Sequence, residues 1–192
     1  MDAPYLITNR GTAFQVLDSG YPALGGSISI GTDLKDTHPN AGLRLTFSDI
    51  TKDWQNHIAP TREQVGQAVE YAKTVNGTLL VHCAAGQSRS VGIVLAILCS
   101  KGMKAEDAYE ALTEAAKRTY LRKLRRTYLD LTPNQRIVMH ADEMYGYDGA
   151  LIEGYCRRYS TLSFEDALSS FWRAVTQNEE DDPLRLPLWD YS

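Results

Sequence analysis

Two apolar runs joined by a short connection constrain this chain more than any other feature. Residues 78–82 read TLLVH, residues 88–100 read SRSVGIVLAILCS, and only CAAGQ lies between them. A run with no polar alternation is buried on both faces, as in the middle of a parallel sheet. The second run is apolar nearly all round, so it forms a helix packed in the interior. Such a strand and helix need other elements to cover them. The expected fold is therefore α/β: a central, mainly parallel sheet of about four to five strands flanked by helices.

The flanking sequence supplies those elements. SISIG (27–31) and LRLTF (43–47) read as strands on either side of the turn-rich TDLKDTHPNAG. Thr61 and Gln64 form a capping-box pattern, with Val65, Ala68, Val69 and Ala72 at helical spacing behind it and Asn76-Gly77 as the stop. A further helix is expected over 103–119. Thr132 as N-cap with Pro133 in the first turn predicts another, running to about Met144. Ser163 and Asp166 cap a helix whose Phe164, Ala167, Leu168, Phe171 and Val175 share one stripe. Residues 1–149 are read as the main domain. Residues 150–192 are read as a C-terminal helical extension packed on it, since a piece of that size buries too little surface alone.

Composition removes several function classes. A formal net charge of −4 gives no general attraction for nucleic acid. No apolar run reaches the length of a membrane span, and MDAPYLITNRG lacks a basic segment followed by an apolar one. The expectation is a cytoplasmic protein without a membrane partner. Cys83, Cys99 and Cys156 are odd in number and not spaced as zinc ligands, which suits a reducing compartment. Cys99 reads as an inert core thiol, and His38, His57 and His140 as solvated or locally bonded. No metal or other cofactor is expected.

The connection between the two runs is where chemistry concentrates. A loop from a strand end into a helix N-terminus presents unpaired N–H groups and partial positive charge, so an anion settles there. Gly86 permits a tight turn and close approach to a ligand. Arg89 offers a planar fork of donors that matches two phosphate oxygens. A thiol at the base of this ring is expected to lose its proton readily and attack phosphorus. His82 is expected to hydrogen-bond nearby backbone and fix the orientation of Cys83. Ser90 can donate its hydroxyl to the sulfur and help it leave.

The stretch HCAAGQSRS, residues 82–90, matches H-C-x-x-G-x-x-R-[ST] at every fixed position. It resembles the signature of the cysteine-dependent protein tyrosine phosphatase superfamily, in particular the compact dual-specificity-like group. The order strand, acid loop, helix, strand, loop, helix is similar to that group too. LTPNQRIVMHADEMYG (131–146) resembles a helix of bacterial tyrosine phosphatases. The resemblance spans roughly residues 25–147. It implies a phosphocysteine formed on Cys83 and phosphate bound by Arg89 and by the amides of Ala84, Ala85, Gly86, Gln87, Ser88 and Arg89. It implies that Ser90 speeds breakdown of the intermediate and that no metal takes part. It also implies a general acid on the loop after the preceding strand, where Asp49 is the first choice and Asp53 the alternative.

The expected substrate is a phosphoprotein, with phosphotyrosine or dual specificity. An RNA 5′-phosphate, an inositol phosphate or a non-catalytic phosphate-binding module are the alternatives. Loops specialised for inositol polyphosphates carry Lys within the signature, whereas this one has Ala84, Ala85, Gln87 and Ser88. The basic run 117–126 reads either as a solvated helix face or as a patch for an acidic partner.

Overall fold

The computed structural model describes residues 5–20, 23–120 and 131–176, with backbone only at 118–120. The basic run expected at 117–126 therefore falls almost wholly outside the described residues, as does the C-terminal acidic stretch EEDD. Four strands, β1 (Tyr5–Asn9), β2 (Leu24–Gly31), β3 (Leu43–Thr46) and β4 (Thr78–Cys83), form one sheet in the order β1-β4-β2-β3. Every pairing is parallel. The helices are α1 (Arg10–Asp18), α2 (Arg62–Thr74), α3 (Arg89–Cys99), α4 (Ala105–Tyr120), α5 (Gln135–Tyr145), α6 (Ala150–Tyr159) and α7 (Phe164–Thr176).

β4 is central, flanked by β1 and β2, as its unbroken apolar sequence predicts. Its alternation still sorts side chains between two environments. Leu79, Val81 and Cys83 join the helical core, whereas His82 lies against Phe14 of α1, ring centroids 5.7 Å apart. The neighbouring strand follows the same register: Ile28 pairs with Val81 and enters the core, while Ser29 pairs with His82. Ser29 Oγ accepts the His38 N–H at 2.8 Å, so this face carries polar loops rather than a second apolar layer.

All eleven residues of α3 are buried. The helix is enclosed by α2, α4 and α5 on the sheet. Each fully buried Val, Leu or Ile contributes about 1.5–3 kcal/mol relative to exposure, so α3 anchors the loop that precedes it. The capping box of α2 forms as expected, with Gln64 N donating to Thr61 Oγ1 and Thr61 N donating to Gln64 Oε1. Ser163 caps α7, whose Ala167, Phe171 and Val175 are buried. Those residues, with Leu151, Ile152, Tyr155 and Cys156 of α6, belong to the same hydrophobic cluster as the sheet.

Three features differ from the sequence reading. The sequence pattern does not mark β1 and α1, because YLITN is short and α1 is only weakly amphipathic. Within the extension the sequence pattern marks only α7, yet α6 precedes it. The cap of α5 is Asn134 rather than Thr132: its side-chain oxygen accepts the N–H groups of Arg136 (3.0 Å) and Ile137 (3.3 Å). Thr132 is engaged elsewhere, its N–H donating to Gln87 O at 3.0 Å.

Candidate active site

The segment from Cys83 to Arg89 runs from the carboxyl end of β4 into α3, at the edge where parallel sheets place ligands. Its carbonyls are tied outward to the scaffold. Ala84 O accepts Arg10 N–H (3.2 Å), Gln87 O accepts Thr132 N–H, and Ser88 O accepts Gly92 N–H (2.8 Å) and Asn134 N–H (3.3 Å). In a trans peptide the N–H points opposite to its C=O. These bonds therefore turn the amides of Ala85, Ser88 and Arg89 away from the scaffold.

Gly86 has φ +73°, and a Cβ there would lie 2.6 Å from Thr8 C and 2.7 Å from Asn9 N. Backbone of β1, not a movable side chain, fills that space, so both conformation and clearance require glycine. Gly86→Ala is accordingly expected to destabilise the protein by about 1–3 kcal/mol and to lower phosphatase activity further. Thermal unfolding and turnover of an aryl phosphate measure the two effects.

Cys83 is buried, and its Sγ receives the Gly86 N–H at 3.3 Å and lies 3.4 Å from Ser90 Oγ. Arg89, 5% exposed, is fixed by Nη1 donating to Phe47 O at 3.0 Å. Its Nε is buried and has no hydrogen-bond partner; the nearest carboxylate oxygen, Asp49 Oδ2, stands 4.0 Å away. Asp49 follows β3 and is drawn to the loop by its other oxygen. Oδ1 accepts from Ser88 Oγ (2.7 Å) and from Asn134 Nδ2 (3.0 Å). Asn134 Nδ2 also reaches Ile50 O at 3.3 Å. One side chain thus caps α5 and holds the loop after β3 against the phosphate-loop candidate.

That loop closes on itself, with Ser48 N donating to Ile58 O (2.8 Å) and Ser48 Oγ 3.0 Å from His57 Nδ1. Asp53 accepts the Ala59 N–H at 2.7 Å and so braces the loop's return, whereas Asp49 faces Arg89. Trp54 stacks on His57, and both Trp54 and Ile58 are exposed.

His82 departs from expectation. Neither ring nitrogen makes a hydrogen bond. Burial pushes its pKa down to about 4, so it is a neutral ring held by packing. Cys99 is buried far along α3, and desolvation raises its pKa to about 11. Among the described residues, no group of three or more His, Cys, Asp or Glu side chains is gathered as metal ligands.

Three contributors were missed from sequence: Arg10, Phe47 and Asn134. The first two act through backbone atoms, which no side-chain pattern reveals. Asn134 left a trace, a capping residue directly before a helix, but its second role depends on a residue 85 positions away.

Residues 30–130, more than half of the chain, match the family described as "Dual specificity phosphatase, catalytic domain". The chain belongs to that family. It is thus a phosphatase of the cysteine-dependent protein tyrosine phosphatase superfamily. No curated protein matches the sequence. Among solved structures, DUSP15 is similar with a TM-score of 0.54 and 18% identity, covering 88% of this chain and 91% of that one. The human tyrosine phosphatase-like serine/threonine/tyrosine-interacting protein has a TM-score of 0.49 and 20% identity, covering 76% and 89%. DUSP15 supports the fold alone. Among the described residues, no helix of this phosphatase is long and apolar enough to cross a membrane.

Proposed function

We propose that this phosphatase hydrolyses phosphoprotein monoesters, with phosphotyrosine the preferred residue, through a phosphocysteine on Cys83. The observation that carries the reading is Arg89. Burying a guanidinium donor without an acceptor is costly unless a ligand completes it, and Nε is in that state while Nη1 is anchored. A phosphate oxygen supplies the acceptor.

With phosphate on the loop, the Cys83 thiolate attacks phosphorus in line and the P–O bond to the substrate breaks. Asp49, hydrogen-bonded through Oδ1, delivers a proton from Oδ2 to the leaving oxygen. The resulting carboxylate then takes a proton from water as that water attacks the phosphocysteine. Ser90 donates its hydroxyl to the departing sulfur. His82 lies on the other face of the strand and packs there against Phe14. The loop carries no Lys among residues 84–88, so its charge suits one phosphate rather than a polyphosphorylated ring. The exposed Trp54 and Ile58 give a peptide an apolar surface on the acid loop.

The test is a comparison of kcat/KM on a phosphotyrosine peptide, a phosphoserine peptide, an RNA 5′-phosphate and an inositol phosphate. The phosphotyrosine peptide is expected to lead, with activity kept in chelator and lost with vanadate. A non-protein phosphate in first place overturns the substrate assignment; loss in chelator overturns the metal-free mechanism.

A further inference from the structure

Two buried residues, Asn134 at the cap of α5 and His140 within it, grip the acid loop at its two ends. At the start of the loop, Asn134 Nδ2 donates to Asp49 Oδ1 at 3.0 Å and to Ile50 O at 3.3 Å. At its return, His140 Nε2 donates to Pro60 O at 3.1 Å, since a carbonyl only accepts. The expectation that His140 is solvated or locally bonded is corrected here: it reaches a carbonyl 80 positions away.

The orientation of the Asn134 amide follows from its oxygen, which accepts the N–H groups of Arg136 and Ile137. A backbone N–H only donates, so the atom turned to Asp49 is the nitrogen. The backbone N–H of Asn134 donates to Ser88 O, and Ser88 Oγ donates to Asp49 Oδ1. Asp49, Ser88 and Asn134 thus come from three separate segments and are joined pairwise by hydrogen bonds.

Oδ1 of Asp49 accepts from both Ser88 Oγ and Asn134 Nδ2, and two donors occupy both of its lone pairs. A proton on this carboxyl group therefore sits on Oδ2, the oxygen 4.0 Å from Arg89 Nε. Ser88 belongs to the phosphate loop. Asn134 is the donor that ties the same oxygen to a helix outside it.

We infer that Asn134 is a positioning residue for proton transfer, holding the Asp49 carboxyl with Oδ2 turned toward the leaving oxygen. It acts through Asp49 and not on the phosphate, so its role rests on Asp49 as the proton donor proposed above.

The competing account makes Asn134 a helix cap and nothing more. Asn134→Ser separates the two, because serine caps a helix about as well as asparagine but is too short to reach Asp49 from the cap. Wild type and variant are compared on phenyl phosphate, whose leaving oxygen needs a proton, and on dinitrophenyl phosphate, whose leaving oxygen does not. The thermal midpoint is expected to hold. On phenyl phosphate kcat is expected to fall roughly tenfold, the scale of one hydrogen bond to a charged group, with KM little changed. The fall on dinitrophenyl phosphate is expected to be much smaller. In an Asp49→Ala background, Asn134→Ser should lower kcat on phenyl phosphate no further, because the group it acts through is gone.

Asn134 is no positioning residue if kcat on phenyl phosphate is unchanged, if both substrates lose equally, or if a comparable further loss appears in Asp49→Ala. Should Asn134→Ser melt below the assay temperature, Asn134→Asp takes its place. Aspartate caps α5 equally well and offers Asp49 no N–H, so the same outcomes decide. Asp49→Ala alone tests the reading beneath. Without a leaving-group-dependent loss in that variant, Asp49 is not the donor and the role of Asn134 falls with it. With such a loss there and none in the Asn134 variant, only the role of Asn134 fails.

Discussion

Cys83→Ser is expected to reduce hydrolysis of an aryl phosphate by roughly 10⁴-fold or more, the scale on which removal of a nucleophile acts. The protein should still fold and bind phosphate. Serine differs from cysteine by one atom, and the Gly86 N–H and Ser90 Oγ remain to pair with a hydroxyl. What is lost is the sulfur nucleophile, since a serine hydroxyl is a far weaker attacking group. Turnover, a thermal melt and phosphate titration check the three parts together. Residual turnover within tenfold of wild type removes Cys83 from the mechanism. A collapsed melt assigns it a packing role instead, consistent with a residue that also belongs to the hydrophobic cluster.

The parts of this site that could be read from sequence were those encoded in contiguous residues. HCAAGQSRS announces a strand end, a turn and a helix start within nine positions, and the flanking apolar runs fix their burial. The capping box at Thr61 and the cap at Ser163 were legible for the same reason: donor and acceptor are three residues apart. The remainder depends on distant pairings. β1 carries only five residues and takes its position from pairing with β4. Arg10 supports the loop through a backbone N–H, so its side-chain identity signals nothing. Asn134 reads as a cap, yet its amide donates to a carboxylate on a loop that approaches only when the chain has folded. His82 shows the opposite error. A polar residue beside the nucleophile invites a hydrogen bond, but strand alternation turns its ring to the other face, against Phe14.

Replacing Asp49 tests the other half of the reaction. Asp49→Ala is expected to lower kcat by about 10²–10⁴-fold, the range for loss of a general acid, with a much smaller change in KM. The asymmetry follows from geometry: Arg89 is anchored to Phe47 O and keeps its hold on phosphate without Asp49. The leaving oxygen, in contrast, loses its proton source. A leaving group of low pKa needs no proton, so the same variant should lose far less rate on a dinitrophenyl phosphate. Equal losses on both substrates mean that Asp49 acts on phosphate binding or loop structure rather than on the leaving group. Asp53→Ala is the control. Its carboxylate braces Ala59 N–H, so its removal loosens the loop and reduces rate on both substrates by a similar, smaller factor. A larger and leaving-group-dependent loss at Asp53 moves the acid there, with Asp49 left as the strut through which Ser88 and Asn134 hold the loop in place.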